Sequence, residues 1–255
     1  MTFDLMTASI REKLWHKMRQ DLATYIPEIA QNQLLMCCAC GRFLPQEAFD
    51  LEHLIPQQAL KRDPDVVRVN PDTPRNVRSG NLLLCKKPLT LKGGGKVYDS
   101  GCNSWKGRFY DTQIRELVFG TALQPCGSFT DVHIIAALCL GYLAMVAEFG
   151  YIVVLMRSGS LMREQFFSPR KFHRNLPLRS QILLGGPLPV SSPEARMWAK
   201  PFSFGFERPG CCTIGARNFS LLIPVTRDPR EPLARHLPFV PSKYKLRPDF
   251  KTFFK

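Results

Sequence analysis

The sequence Cys37-Cys38-Ala39-Cys40 is the first of four short stretches that decide the fold. The other three follow in chain order and are Glu52-His53-Leu54-Ile55-Pro56, Asn81-Leu82-Leu83-Leu84-Cys85 and Cys102-Asn103-Ser104-Trp105-Lys106-Gly107. Cys37 and Cys40 form a C-x2-C knuckle, whose tight turn directs two thiolates at one ion, and Cys38 inside it is interpreted as a spectator. Cys85 and Cys102 could supply two further thiolates, so the pattern predicts a tetrahedral four-thiolate zinc site. The alternative is that these cysteines are buried simply as small apolar side chains.

The residues between the cysteines have the chemistry of a hydrolytic site. A neutral imidazole is a suitable general base near pH 7, so His53 could take a proton from water. The carboxylate of Glu52 and the amide oxygen of Asn103 are hard ligands of the kind that Mg²⁺ prefers, and Lys106 could neutralise an adjacent phosphate. Each residue alone has an ordinary structural explanation, since a single His is usually a structural residue and an Asn before Ser is usually a turn or cap. Their order between the cysteines favours a joint site.

These four stretches, in this order, resemble the HNH, or ββα-metal, nucleases, in the subgroup whose core is bracketed by zinc. The family pattern is C-x2-C, then Asp/Glu-His-x-x-Pro, then Asn-Leu, then Cys-Asn-x-x-Lys-Gly, and the match covers residues 37–107. The resemblance implies a β-hairpin that carries the His, a loop with the middle Asn and a helix with the last Asn. The chain departs from the pattern in three places. First, 16 residues separate Cys85 from Cys102 where the family usually has a second C-x2-C. The interval from His53 to Asn81 is also long, and Asn81 stands four residues before Cys85 where the family more often has five.

The resemblance also implies a role for each matched residue. His53 would be the general base, Lys106 would assist at the phosphate, and Asn81 would hold the imidazole loop in place, with Asn76 as the nearby substitute. The catalytic Mg²⁺ or Mn²⁺ would be bound by Glu52 and Asn103. The structural Zn²⁺ would be bound by Cys37, Cys40, Cys85 and Cys102.

The implied function is a metal-dependent endonuclease that hydrolyses DNA and leaves a 5′ phosphate and a 3′ hydroxyl. Restriction, defence or a mobile element in a prokaryotic cell is the expected setting. A monomer with one such site would nick DNA, whereas a two-fold homodimer could cut both strands. The competing hypothesis is a non-catalytic, zinc-containing protein that only binds nucleic acid.

The composition agrees with a polyanionic partner. The chain of 255 residues has 35 Lys and Arg against 21 Asp and Glu, which gives a formal net charge of +14. Such an excess favours nucleic acid, although anionic lipid and acidic proteins also attract basic chains. With 45% hydrophobic residues the chain is not a mostly disordered one.

The predicted organisation is α+β in three parts. Residues 1–33 are expected to be an N-terminal helix running from Ser9 to about Gln31, with a capping box formed by Ser9 and Glu12. Residues 34–112 are expected to be the HNH nuclease domain, a ββα-metal core with structural zinc. Residues 113–255 are expected to be a basic C-terminal α+β domain for DNA recognition or clamping. That part is predicted to have a helix near 130–148 and β-like runs at 181–184, 201–206 and 211–224.

Several basic residues are candidates for nucleic-acid contact. They lie beside the triple-glycine loop, near the end of the HNH motif and in the aromatic-rich segment 236–255, where bases and rings alternate. The alternative for this last segment is an extended arm that packs its rings on the core and leaves its lysines in solvent. A second basic face could include Arg157, Arg163 and Lys171. The candidate contact residues are Lys92, Lys96, Arg108, Lys243, Lys245 and Arg247.

The expected location is the cytoplasm. Residues 1–20 lack the apolar core of a secretion signal, and in a reducing compartment the nine cysteines are not expected to form disulfides. The apolar run Val132–Met156 is long enough to span a membrane, but it contains His133 and Glu148, and a charged residue deep in lipid is costly. We therefore predict a buried helix followed by a strand and no membrane association. A membrane-associated basic protein is the third hypothesis.

Overall fold

The architecture mixes helices with small antiparallel sheets. The computed structural model describes residues 9–60, 81–119, 130–174, 181–185, 201–206, 210–216, 219–225 and 249–255. Within these ranges the chain forms eight α-helices and ten short strands. The α+β class predicted from the sequence is therefore confirmed.

The N-terminal helix α1 (Ile10–Tyr25) begins where the sequence predicts. The Ser9 hydroxyl accepts from the Glu12 backbone N–H at 3.3 Å, and the Glu12 carboxylate accepts from the Ser9 N–H at 2.7 Å, which completes the capping box. Helix α1 ends earlier than the predicted Gln31. Pro27 disfavours helical backbone at the residue before it, and a 3-10 turn (Pro27–Ala30) follows instead.

Three two-stranded antiparallel sheets form the middle of the chain. Strands β1 (Leu34–Met36) and β2 (Phe43–Pro45) flank the C-x2-C knuckle. Strands β3 (Phe49–His53) and β4 (Asn81–Cys85) pair along their full length. Strands β5 (Leu89–Thr90) and β6 (Lys96–Tyr98) occupy the long interval between Cys85 and Cys102.

Four helices belong to this middle region or follow it directly. They are α2 (Gln57–Leu60), α3 (Cys102–Phe109), α4 (Asp111–Val118) and the long α5 (Asp131–Phe149). Every residue of α5 from Ile135 to Val146 is buried. In the described part of the chain α5 is the one helix long and apolar enough to cross a membrane, and 72% of its most apolar stretch is buried inside the fold. Such burial is typical of a core helix.

The prediction of a strand after α5 is wrong. Gly150 has a φ of 77°, which glycine tolerates better than other residues, and it ends α5. The chain then starts a second helix, α6 (Tyr151–Leu155), whose first N–H is accepted by the Asp21 carboxylate at 2.5 Å. Two further helices follow, α7 (Arg157–Phe166) and α8 (Pro169–Arg174).

The predicted β-like runs of the second half form one antiparallel sheet. Its strands are β7 (Leu183–Gly185), β8 (Ser203–Gly205), β9 (Cys211–Gly215) and β10 (Ser220–Pro224), in the spatial order β7-β10-β9-β8. This sheet packs closely on α5 at Gly141, where a Cβ would lie 2.6 Å from the Leu221 side chain. Cys212 is buried in the core, and Cys211 is half-buried.

A single hydrophobic core joins the three predicted parts of the chain. Trp15 of α1, Phe49 of β3, Trp105 of α3, Tyr142 of α5 and Phe219 beside β10 belong to one cluster of buried residues. The middle region therefore packs against helices from both sides of the sequence. Its side chains are held in place by long-range contacts as well as by their own short sheets.

Candidate functional site

The knuckle lies in the turn between β1 and β2. The Cys37 N–H donates to the Arg42 carbonyl at 2.8 Å, and the Gly41 N–H donates back to the Cys37 carbonyl at 2.8 Å. Gly41 has a φ of 77°, a left-handed conformation that favours glycine. Core helices hold the turn from behind, because Tyr142 donates to the Cys38 carbonyl at 2.7 Å. The turn therefore presents Cys37 and Cys40 from a fixed backbone.

Three of the four predicted zinc ligands form one buried group. The sulfurs of Cys37, Cys40 and Cys102 all lie within 4.8 Å of one another, and those of Cys37 and Cys102 are 3.9 Å apart. Two thiolates on one tetrahedral zinc, each at about 2.3 Å from it, are separated by roughly 3.8 Å. Three converging soft sulfur ligands, two of them at this separation, fit a zinc ion. Among the described residues this is the one group of metal-ligating side chains of that size.

Cys85 lies directly beside this group at the end of β4. Its backbone N–H donates to the Cys37 sulfur at 3.4 Å, and its own sulfur accepts from the Lys87 N–H at 3.2 Å. A hydrogen bond with Cys102 lowers the pKa of Cys85, but the bond with Cys40 and burial outweigh it and raise that pKa to about 11. Its position as the fourth ligand stays a prediction.

The thiols of the group differ in the direction in which their pKa values are shifted. Burial opposes ionisation of Cys40, but hydrogen bonds from Cys102 and Cys37 and the charge of Arg42 bring its pKa well below the usual value. Burial raises the pKa of Cys37 and that of Cys102 well above the usual range. Cys38 does not belong to the group, and burial raises its pKa to about 12, which agrees with a spectator. Metal binding must therefore expel thiol protons.

A hairpin and a helix meet next to the cysteine group. In the β3–β4 pair Glu52 is opposite Leu82, and His53 is opposite Asn81. Helix α3 starts at Cys102 after Gly101, where any Cβ would collide with the Cys85 carbonyl, so only glycine allows this close approach. The Asn103 amide then reaches β3, because its Nδ2 donates to the Leu51 carbonyl at 3.1 Å.

The structure brings Glu52, His53 and Asn103 to one cavity of about 450 Å³. Glu52 is buried, and His53 and Asn103 are half-buried. The His53 Nε2 lies 2.8 Å from the side-chain amide nitrogen of Gln57, which can donate to the neutral ring. The remaining lining residues are Leu51, Pro56, Gln57, Gly107, Asp111, Thr112 and Arg115.

Lys106 has a different environment from the predicted one. Its ammonium is buried and lies 2.7 Å from the Glu52 carboxylate, 2.7 Å from that of Asp111 and 3.3 Å from the His53 carbonyl. Burial by itself would lower the pKa of Lys106, but the charges of Glu52 and Asp111 outweigh it and raise that pKa. An ammonium has three donors, and all three have acceptors here. In this arrangement Lys106 is an internal counter-ion and does not face a phosphate.

Glu52 and Asp111 share that counter-ion. Burial raises the pKa of Glu52, and the Lys106 charge offsets only part of the effect. The sequence analysis missed Asp111, since it follows Lys106 by five residues across the break at Tyr110 and shares no helical face with it. The nearby acidic residue at the start of a helix was the only signal in the sequence.

The other predicted site residues either lie outside the described part of the structure or are exposed on its surface. The side chain of Asn81, as well as Asn76, Lys243, Lys245 and Arg247, lies outside the described part of the structure. Lys92, Lys96 and Arg108 are exposed. Lys96 pairs with Asp99, and the Arg108 guanidinium lies 5.6 Å from the centre of the Phe109 ring.

Two expectations about basic segments can be compared with the structure. Arg163 does not belong to a basic surface, because it is 4% exposed and donates to the Val154 carbonyl. In residues 249–255 Phe254 is buried, its ring 5.0 Å from that of Phe167, while Lys251 and Lys255 are exposed. This short segment resembles the packed arm more than a base-stacking surface.

Comparisons with models of known families, with characterised proteins and with solved structures found no match for this chain. The chemistry of the site therefore has to be argued from its own geometry.

Proposed function

We propose that the chain is a metal-dependent endonuclease of the HNH type that hydrolyses DNA phosphodiester bonds and leaves a 5′ phosphate and a 3′ hydroxyl. One observation carries the proposal: Glu52, His53 and Asn103, which are up to 51 positions apart in the sequence, line a single cavity between a hairpin and a helix. Binding of nucleic acid alone does not require an acid, an imidazole and an amide to converge.

His53 is the general base of the proposed reaction. Its ring borders the cavity at the end of β3, and the Gln57 amide orients it by contact at Nε2. When an attacking water molecule replaces the Gln57 amide at Nε2, the neutral ring can take a proton from that water. Because the His53 carbonyl also accepts from Lys106, the backbone that carries the ring is fixed to α3.

Glu52 and Asn103 are the residues that would hold Mg²⁺ or Mn²⁺. The Asn103 amide nitrogen is engaged by the Leu51 carbonyl, which leaves the amide oxygen as the atom for a hard cation. Such an ion stabilises negative charge on the scissile phosphate and on the leaving oxygen. Lys106 neutralises Glu52 in the absence of an ion, and Asp111 offers the ammonium a second partner when Glu52 is otherwise engaged.

The cysteine group would position this machinery. Zinc on Cys37, Cys40, Cys102 and the predicted fourth ligand, Cys85, would fix the first residue of α3, and Asn103 is the next residue of that helix. The exposed Lys92, Lys96 and Arg108 are the described basic candidates for phosphate contact. The net charge of +14 gives the chain the long-range attraction to DNA that this function needs.

The decisive experiment compares the zinc-loaded protein with its His53→Ala variant on supercoiled plasmid. Mg²⁺ or Mn²⁺ is omitted or added, since EDTA would also remove zinc. Loss of a general base typically slows a reaction by about 10²–10⁴-fold, so the variant should bind DNA and zinc normally and cut at a rate lower by this factor. His16→Ala on α1, outside the cavity, is the matched control and should cut like the wild type.

Equal cleavage by His53→Ala and wild type would remove His53 from the mechanism. Retardation of DNA on a gel without any cleavage, under all metal conditions, would instead favour the non-catalytic zinc-containing binding protein.

A further inference from the structure

Arg42 is a buried cation that contacts the cysteine group directly. It follows Gly41 at the end of the knuckle and is 6% exposed. Its Nε donates to the Cys40 sulfur at 3.2 Å, and its Nη2 donates to the Cys85 sulfur at 3.2 Å. Its other hydrogen bonds go to backbone carbonyls of Lys87, Pro88 and Lys255. Among the described residues no Asp or Glu side chain pairs with this guanidinium.

Arg163 is a second buried cation at the same knuckle. It is 4% exposed, and its Nη1 is so close to Gly41 that a Cβ there would lie 2.8 Å from it. One hydrogen bond goes to the Val154 carbonyl at 3.3 Å, and Nε has no partner among the described residues. No acidic side chain of the described residues pairs with it. A buried charge without a counter-charge is strongly unfavourable, so two of them at one place favour an anionic group beside them.

The cysteine group lies next to both arginines, since Arg42 contacts the Cys40 sulfur and Arg163 lies against Gly41 of the same knuckle. With zinc bound, this group would be an anion. Zn²⁺ with three thiolates carries a net charge of −1, whereas Zn²⁺ with four thiolates carries −2, which equals the charge of two guanidinium groups with the sign reversed. The Arg42 fork also spans Cys40 and Cys85, so it contacts Cys85 as it contacts a member of the three-sulfur group. The charge and the contacts both favour four thiolates.

We propose that Arg42 is a built-in counter-charge of the predicted zinc centre on Cys37, Cys40, Cys85 and Cys102, whose net charge would be −2, and that Arg163 is a second one at the same knuckle. Arg42 is a positioning residue that holds the Cys85 sulfur toward the ion. This inference rests on the zinc part of the proposed function and is independent of DNA cleavage. Interactions of this outer kind typically change metal affinity by about 10–100-fold when they are lost.

The test uses the full chain loaded with Co²⁺ or Zn²⁺. We expect the wild type to bind one Co²⁺ with the absorption of a tetrahedral four-thiolate ion. Arg42→Met should bind zinc about 10–100-fold more weakly in competition with a chromophoric chelator. At saturating Co²⁺ its sulfur-to-metal charge-transfer band should move to longer wavelength, because the sulfur electrons lose a stabilising positive charge. A merely structural role would not move this band.

The control variant is Arg19→Met. Arg19 on α1 also donates to backbone carbonyls, those of Ile29 and Asn32, but it does not contact the cysteines. The Arg19→Met variant should have the zinc affinity and the charge-transfer band of the wild type. Arg42→Lys keeps the charge without the fork and should recover the band position more fully than the affinity.

Four outcomes would overturn the inference. The first is wild-type affinity and an unshifted band in Arg42→Met. The second is a Cys85→Ser variant whose Co²⁺ spectrum equals that of the wild type, which would exclude Cys85 as a ligand. If Arg42→Met does not fold, Arg163→Met decides, and an unchanged zinc affinity in it would count against the counter-charges. A wild type that binds neither metal would refute the zinc centre itself, whatever the plasmid assay shows.

Discussion

The cysteine group and the adjoining cavity are neighbours that differ in almost every physical respect. The sulfurs are fully buried, backbone N–H groups and Arg42 donate to them, and core tyrosines brace the turn that carries them. The cavity is open, and its acidic side chains are paired with the buried Lys106 ammonium. The first arrangement suits an ion that stays, and the second suits a ligand that enters and leaves. Both meet at the first turn of α3, which supplies Cys102 to one and Asn103 to the other.

The largest effect is expected when one thiol of the cysteine group is removed. Cys102→Ser should remove zinc and most of the folding free energy, since structural zinc in small domains contributes on the order of 10–16 kcal/mol of apparent binding energy. Metal content and thermal unfolding measure the effect. Cys139→Ser on α5 is the control, because Cys139 is equally buried but does not belong to the cysteine group. Similar losses in both variants would mean that burial alone matters.

The next largest effect is expected when the Lys106 ammonium beside the cavity is removed. Lys106→Met should destabilise the fold by about 3–5 kcal/mol, because it leaves the buried Glu52 carboxylate without its counter-ion. Added Mn²⁺ should restore part of the stability if Glu52 binds a cation. Chemical denaturation measures both.

The control for this variant is Lys86→Met. The Lys86–Asp50 pair is exposed and 3.4 Å long, so its loss should cost about 0–1 kcal/mol. A cost for Lys106→Met no larger than this would show that the buried triad is energetically unimportant.

The smallest expected effect is the pH dependence of folding stability that the buried Glu52 causes. Because burial raises the pKa of Glu52 in the folded protein, the folded state binds more protons than the unfolded state just above the usual value of 4.5. The wild type should therefore lose stability relative to Glu52→Gln as the pH rises through the raised pKa, and the difference should then stay constant. We expect this difference to be smaller than the cost of Lys106→Met. Parallel stability curves for the two proteins would contradict a raised pKa.

Local sequence patterns predicted the elements that depend on near neighbours. Ser9 and Glu12 form their capping box, the apolar run of α5 lies in the core, and the predicted β-like segments pair into one sheet. The sequence order of the motifs also anticipated that Glu52, His53 and Asn103 would share a cavity. Spacing and side-chain chemistry are sufficient for these features.

Features that depend on contacts with residues far away in the sequence could not be predicted from local patterns. Lys106 was expected at a phosphate, but the fold brings it between Glu52 and Asp111. Arg163 was expected on a basic face, but α7 buries it against Gly41. A positive residue in a sequence shows its charge and not its counter-ion, which only the packing of remote elements provides.

The adjacency of Cys102 and Asn103 has a mechanical consequence. Consecutive residues project about 100° apart around a helix, so one turn of α3 faces the sulfurs with one side chain and β3 with the next. At a helix radius of about 5–6 Å with side chains, a rotation of α3 by about 10° moves both tips by roughly 1 Å. Displacements of this size can change a reaction rate by about 10²-fold. Any change in the geometry of the thiolates is therefore transmitted directly to the Asn103 amide, because Cys102 and Asn103 lie on the same turn of α3.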